Sequence, residues 1–267
     1  MNFLLVQSLS AQFFYNDIIV NKEGNKQFER LTKLGIKKIK ALNYLTDNQL
    51  AEGFFIEQAV DSVAQTLTTV TRIPNRTDAK QISYFKNNLL QKTFETNNII
   101  EINNVFNYDA NQLLTSVHSL TNDTTIDYSN AEVHFWQYNA AKKPIKMLKV
   151  KNNIDSTTVE LRFDENGQVS EEHWFVKNRE IEVYFYYYDK NLLTDIVRYN
   201  PFKKKLTPEF VFEYNEQNQI TQMTQFRQGG NEFFIWKYSY LPNGLKEKEI
   251  CFDSNENFVG KVVYQYE

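Results

Sequence analysis

The feature that most constrains this chain is a tandem repeat. Strand-like segments end on an aromatic residue, here named the anchor, and a polar turn follows each anchor. From Tyr138 onward, the anchors fall at positions 138, 163, 188, 214, 240 and 266. Self-similarity at so regular a period, roughly 25 residues, indicates a repeat array. The clear anchors are Tyr108, Tyr138, Phe163, Tyr188, Tyr214, Tyr240 and Tyr266, and fainter copies lie around Tyr44, Val60 and Phe85.

Each repeat has the pattern of a β-hairpin. Residues two and four before an anchor share its face, because side chains alternate along a strand, and these positions are large and apolar in repeat after repeat. Asn-Gly steps follow two anchors, as at Asn166-Gly167, and Asn and Gly suit turn positions where φ becomes positive. Two strands in each of about nine repeats predict roughly 18 strands. Asn also lies three residues past several anchors, at Asn88, Asn111 and Asn191.

The predicted fold is all-β, an antiparallel meander of two-stranded repeats forming a curled or elongated sheet, with one short N-terminal helix. The helix is expected over residues 26–34, where Phe28 and Leu31 fall on one stripe and Gly35 follows as a terminator. We expect residues 13–35 to cap a single-domain array over residues 36–267. The last repeat stops after the strand Val262–Tyr266, so the sheet is expected to end on an open edge.

The first twelve residues resemble the end of a secretory signal, with a short apolar run followed by Ser8, Ser10 and Ala11. A positively charged beginning is lacking, so two explanations stay open: a true start further upstream, or a first β-strand. The first explanation predicts an extracytoplasmic protein, whether periplasmic, outer-membrane associated or secreted, and the second allows a cytoplasmic one. No stretch approaches 18 apolar residues, so no membrane span is expected.

Composition and motifs argue against several classes of function. The formal net charge is −3 with acids and bases interspersed, which predicts no nucleic-acid partner. The single cysteine, Cys251, excludes an intrachain disulfide and a thiolate metal cluster. Nucleotide-binding, hydrolase and zinc motifs are missing, and the three histidines fall in different repeats. We therefore predict no catalytic residues, no metal site and no cofactor.

The segment from Tyr184 to Tyr188 is the clearest case of aromatic side chains on both faces of one strand. Phe185 and Tyr187 alternate with the Tyr184, Tyr186 and Tyr188 series, so something should cover or use the second face. Phe185, Tyr187 and the nearby Trp174 are therefore the candidate binding residues, for a sugar ring or for a protein. The alternative is that the aromatic ladder is only the core of the sheet.

The anchor and its turn also resemble a known family. Tyr188-Asp189-Lys-Asn-Leu192-Leu193 and Phe163-Asp164-Glu-Asn-Gly167-Gln-Val169 are similar to the YD (Rhs-type) repeat of bacterial surface and secreted proteins. The resemblance covers about residues 36–267 and is strongest from Tyr108. Most copies lack the family's turn glycine, and the conserved core and toxin domain of the large Rhs proteins are missing. The chain is more similar to short repeat-only proteins of Bacteroidota, which implies a repeat protein at the cell envelope or outside it.

Three functional hypotheses follow from the sequence. The first is a non-enzymatic extracytoplasmic protein that binds a protein or glycan partner on its sheet face. The second is a structural or assembly protein of the cell envelope that pairs with another chain through its C-terminal edge strand. The third is a carbohydrate-active enzyme with two carboxylates on one face.

Overall fold

A computed structural model of the chain describes residues 13–200, 204–227 and 232–267. These residues form one helix and 18 strands, so the all-β class and the N-terminal helix are confirmed. The predicted signal remnant, residues 1–12, lies outside the described residues. The helix is α1 (Asn16–Lys33), and the strands are β1 (Lys38–Tyr44), β2 (Phe55–Asp61), β3 (Thr66–Arg72), β4 (Ala79–Lys86), β5 (Leu89–Thr96), β6 (Ile100–Tyr108), β7 (Leu114–Asp123), β8 (Tyr128–Tyr138), β9 (Pro144–Lys151), β10 (Asp155–Phe163), β11 (Val169–Val176), β12 (Arg179–Asp189), β13 (Leu192–Asn200), β14 (Lys205–Tyr214), β15 (Ile220–Phe226), β16 (Phe233–Tyr240), β17 (Lys246–Asp253) and β18 (Phe258–Tyr266).

Helix α1 is twice as long as the sequence pattern predicts, because it begins at Asn16 and not at Lys26. Its first half contains β-branched residues and Gly24, which have low intrinsic helix propensity. Ile18 in this first half is buried, as Phe28 is further along the helix. Packing of this face therefore extends the helix beyond its local preference. The helix ends where Gly35 adopts a φ of +69°.

The prediction of a curled or elongated open sheet was wrong, because the strand pairing closes into an 18-stranded antiparallel barrel. Strands β2 to β18 follow one another in order, and β1 pairs with both β18 and β2. The Glu267 amide donates to the Lys38 carbonyl at 2.9 Å, and the Lys38 amide donates back at 3.0 Å. An open edge would leave these backbone groups unpaired, and closure removes that cost. The final strand is therefore not an edge that could receive another chain.

The described chain divides into two compact units. The first comprises Met1–Lys40, Gly53–Glu160 and Tyr266–Glu267, with the residues before position 13 not described, and the second comprises Ala41–Glu52 and Leu161–Gln265. In the first unit, α1 packs on the sheet where the Phe28 ring stacks on Phe85 at 3.8 Å. The core of the second unit is built from the anchor face. Its buried side chains include Leu161, Tyr184, Tyr186, Ile196, Phe210, Leu245, Cys251 and Val262.

Several anchor tyrosines donate a hydroxyl hydrogen bond to the preceding repeat. Tyr138 Oη donates to the Leu114 carbonyl at 2.8 Å, and Leu114 is the strand partner of the preceding anchor, Tyr108. The same relation holds for Tyr240, which donates at 2.8 Å to Ile220, the partner of Tyr214. Corresponding bonds run from Tyr108 to Leu90 at 2.7 Å and from Tyr214 to Leu193 at 2.7 Å. The anchor therefore fixes the spacing of successive hairpins as well as filling the core.

Turns after the anchors contain a left-handed residue that is usually not glycine. In the longer turns it lies four residues past the anchor, as at Gln112 (φ +63°), Lys142 (φ +61°) and Gly244 (φ +79°). Asn88 and Asn191 have positive φ three residues past their anchors, whereas in the Tyr108 turn the left-handed residue is Gln112 rather than Asn111. Left-handed backbone is tolerated by Asn and Gly but disfavoured for most other residues, so the turns that contain Gln112 and Lys142 are strained.

Candidate functional site

A cavity of about 500 Å³ lies in the second unit, where two neighbouring hairpins approach one another. One wall comes from the turn after Phe163 and the start of β11, and the other from the end of β12 and its turn into β13. Aromatic, carboxylate, amide, hydroxyl and ammonium groups therefore share one space. Its lining residues are Asp164, Asn166, Gln168, Ser170, Glu171, Phe185, Tyr186, Tyr187, Tyr188, Lys190 and Asn191.

Strand alternation explains why this space has both aromatic and acidic walls. Glu171 of β11 is the register partner of Phe185 of β12, so the two side chains share one face of the sheet. Tyr187 lies two residues after Phe185 on that face and is 46% exposed. Tyr186, between them, belongs to the opposite, buried face and is 3% exposed. Two aromatic side chains are thus presented beside a carboxylate, outside the core.

Side-chain hydrogen bonds hold the two turns of the cavity in place. Asp164 Oδ1 accepts a bond from the Gln168 amide at 2.8 Å, which closes the first turn around Gly167 (φ +72°). Gln168 Nε2 donates to the Asn191 carbonyl of the second turn at 3.3 Å. The two turns that line the cavity are therefore already ordered, which lowers the entropy cost of binding a ligand there.

Glu171 is held by a chain of ionisable side chains that do not themselves line the cavity. Its Oε2 atom accepts from Arg162 Nη1 at 3.0 Å and lies 2.6 Å from His173 Nε2. His173 Nδ1 lies 2.8 Å from Glu180 Oε2, so both ring nitrogens face carboxylates. The hydrogen bond from His173 lowers the pKa of Glu171 from its ordinary value, and burial opposes that shift. Among the described residues, Oε1 of Glu171 has no hydrogen-bond partner, which leaves one acceptor for a ligand.

The structure brings Phe185 and Tyr187 together at the cavity but places Trp174 elsewhere. Trp174 follows Glu172 on the anchor face, where its Nε1 donates to Glu172 Oε1 at 2.6 Å. Tyr186 Oη donates to the other oxygen of Glu172 at 2.6 Å, and the Trp174 ring lies 5.3 Å from that of Tyr184. These contacts make Trp174 part of a buried polar network. A binding role for Trp174 stays a prediction.

A second buried polar cluster connects α1 to the sheet of the first unit. Asp17 Oδ2 lies 2.6 Å from His134 Nδ1 and accepts from Trp136 Nε1 at 3.2 Å. Glu132 Oε1 lies 2.9 Å from the other ring nitrogen of His134. Burial lowers the pKa of His134, but the bonds to Asp17 and Glu132 outweigh it and raise that pKa to about 9. The His134 bond in turn lowers the pKa of Glu132 to about 2.

Within 13–200, 204–227 and 232–267, no group of three or more His, Cys, Asp or Glu side chains could hold a metal ion. No helix in these ranges is long and apolar enough to span a membrane. Cys251 is buried, and burial raises the pKa of its thiol to about 12, which makes it a poor nucleophile at neutral pH.

Comparisons with known proteins yield structural likenesses at low identity. No family model matches the chain, and no curated protein matches it in sequence. A porin-like protein from Bacteroides uniformis is 9% identical, with 87% of this chain and 98% of that chain covered and a TM-score of 0.43. The Tc holotoxin pore of Photorhabdus luminescens is 12% identical with a TM-score of 0.37. The match covers 78% of this chain but spans only 12% of the length of the toxin chain.

Proposed function

We propose that this protein is a non-enzymatic, extracytoplasmic repeat protein that binds a saccharide in the cavity between the β10–β11 and β12–β13 hairpins. One observation carries the proposal: Phe185 and Tyr187 share a cavity with carboxylate, amide and hydroxyl side chains. A sugar ring has apolar C–H faces and a rim of hydroxyl groups, so it needs an aromatic surface beside hydrogen-bonding groups. Apolar walls with a few fixed polar groups are typical of small-molecule sites.

The cavity also has a size and an exposed aromatic surface suited to this role. A volume of about 500 Å³ lies within the range of roughly 300–1,000 Å³ found for ligand pockets. Tyr187 is only half-buried, so a ligand can cover more of its ring, and a ring face of roughly 60 Å² contributes about 1.5 kcal/mol. That contribution corresponds to about a tenfold change in affinity. The aromatic wall therefore has a measurable share in binding.

A glycosidase is the less favoured function for the same cavity. Such an enzyme requires two carboxylates, and Asp164 and Glu171 both line the cavity. The acid of the pair must hold its proton near neutral pH, which requires a raised pKa. The His173 bond instead lowers the pKa of Glu171. Glu171 is thus suited to accept hydrogen bonds rather than to donate a proton.

Two sequence features support a location outside the cytoplasm. Residues 1–12 have the short apolar run and small residues of a signal-peptide end. The anchor-and-turn pattern resembles the YD repeat of surface and secreted proteins. Sequencing the mature N-terminus after cell fractionation tests this part of the proposal. A chain in the cytosol with Met1 intact would contradict it.

Binding is tested with an oligosaccharide array, followed by titration calorimetry on the best ligand. Tyr187→Ala is expected to weaken binding about tenfold, because the ring face is lost. Tyr128→Ala is the matched control, since Tyr128 is 54% exposed on β8 and does not line the cavity. The control should bind like the wild type. Failure of every oligosaccharide to bind, or equal binding by wild type and Tyr187→Ala, would refute the proposal.

A further inference from the structure

We propose that the ligand of this cavity is an uncharged saccharide, and that Glu171 is the residue that selects it over acidic saccharides. The inference rests on the proposed function and names its substrate class. Two features of the cavity support it, namely the balance of charges on its walls and the free acceptor atom of Glu171. Each feature leads to a separate measurement.

The charges on the cavity walls are unfavourable for an anion. Asp164 and Glu171 contribute two carboxylates, and Lys190 contributes the single ammonium group among the lining residues. Arg162 offsets part of the Glu171 charge, but it binds Oε2, does not line the cavity and has a side chain that is 62% exposed. A uronic acid or sulfated sugar would add a negative charge beside two others. Recognition of such groups normally uses an excess of arginine or lysine.

The orientation of Glu171 favours hydroxyl groups as ligands. Arg162 and His173 both contact Oε2, and Oε1 has no partner among the described residues. An ionised carboxylate only accepts hydrogen bonds, so Oε1 can bind a sugar hydroxyl but repels a ligand carboxylate. His173 is itself fixed by Glu180 at 2.8 Å, so the free oxygen is held in one position. Glu171 therefore favours a ligand hydroxyl group, which can donate a hydrogen bond to it, over a ligand carboxylate, which carries a like charge.

The experiment compares a neutral oligosaccharide that binds in the array with its counterpart oxidised to a uronic acid at one ring. At low salt the wild type should prefer the neutral ligand about tenfold, as expected for one like-charge contact near a protein surface. Glu171→Gln keeps the side-chain shape and removes the charge, so the preference should fall to about threefold or less. Glu165→Gln is the control, because Glu165 lies in the turn that precedes β11 and is exposed but does not line the cavity.

A second measurement uses the wild type alone, in case the variant is poorly folded. Raising the salt concentration from about 20 to about 500 mM should reduce the neutral preference, because salt screens repulsion between partly exposed charges. Equal or tighter binding of the acidic ligand by the wild type would overturn the inference. Loss of that binding in Tyr187→Ala would then still support the proposed function. If neither ligand binds at all, the proposed function itself fails.

Discussion

Replacing an anchor tyrosine by phenylalanine tests how the repeats are held together. The hydroxyl of Tyr138 donates to the Leu114 carbonyl at 2.8 Å, and this carbonyl belongs to the residue paired with the previous anchor. Tyr138→Phe keeps the aromatic ring in the core and removes only that bond. Because the hydroxyl is partly buried and its acceptor lies inside the sheet, water cannot fully replace the lost donor.

The expected loss can be worked out from this one bond. A buried neutral hydrogen bond contributes about 1 kcal/mol net, so Tyr138→Phe should lower the free energy of unfolding by about that amount. For a domain of this size, about 1 kcal/mol corresponds to a fall in Tm of roughly 2–4 °C. Tyr240→Phe removes the equivalent bond to Ile220 at 2.8 Å. The two bonds share no partner, so the double variant should lose about 2 kcal/mol.

Urea denaturation followed by far-UV circular dichroism measures these changes. Tyr128→Phe is the control, because Tyr128 is 54% exposed, and its free energy of unfolding should stay within about 0.5 kcal/mol of the wild type. The reasoning would be refuted if the anchor variants were as stable as this control. It would also be refuted if the double variant lost no more than either single variant, since the bonds would then not act independently.

Three further predictions concern the turns, the helix and the closure of the sheet. Gln112→Gly should raise the free energy of unfolding by about 1 kcal/mol, and Gly244→Ala should lower it by a similar amount, because both positions have left-handed backbone. Thermal unfolding measures both changes. Unchanged Tm values would contradict the strain assigned to these turns. The raised pKa of His134, about 9, means that its stabilisation is complete below its ordinary pKa of 6.5 and is lost as the pH rises through 9. In Asp17→Asn the free energy of unfolding should fall less between pH 6 and pH 10 than in the wild type, as measured by a denaturation series. An identical pH profile for the two proteins would argue against the contact between Asp17 and His134. Removing Tyr264–Glu267 should speed the exchange of backbone amide hydrogens in β1, because β1 pairs with β18 in the closed sheet. If β1 and β18 were not paired, exchange in β1 would not change.

The all-β class and the number of strands could be predicted from the sequence because their signals are local. Anchor spacing, strand alternation and turn residues all operate within one repeat or between neighbouring repeats, and these patterns predict the all-β class and roughly 18 strands. Closure could not be predicted in the same way. The Lys38 and Glu267 backbone groups that join the ends of the sheet come from opposite ends of the repeat array, and no local pattern specifies which strand pairs with β18.

The candidate site was predicted in part for a similar reason. Phe185 and Tyr187 could be predicted because two aromatic residues lie on the second face of one strand. Trp174 is near them in sequence, but its alternation with Glu172 places it on the anchor face. The polar wall of the cavity was missed, because it forms only when two neighbouring turns, each ordinary in sequence, come together. A search for polar turn residues in adjacent repeats beside Tyr187 would have found Asp164 and Asn191.

The most direct test of saccharide binding in this cavity is a titration of the protein with the best-binding oligosaccharide, followed by NMR of its aromatic C–H groups. The account predicts that ring signals of Phe185 and Tyr187 shift in proportion to occupancy, together with the backbone amides of Gln168 and Asn191, while the Tyr128 ring does not move. Shifts that occur at another surface and leave Phe185 and Tyr187 unchanged would contradict it.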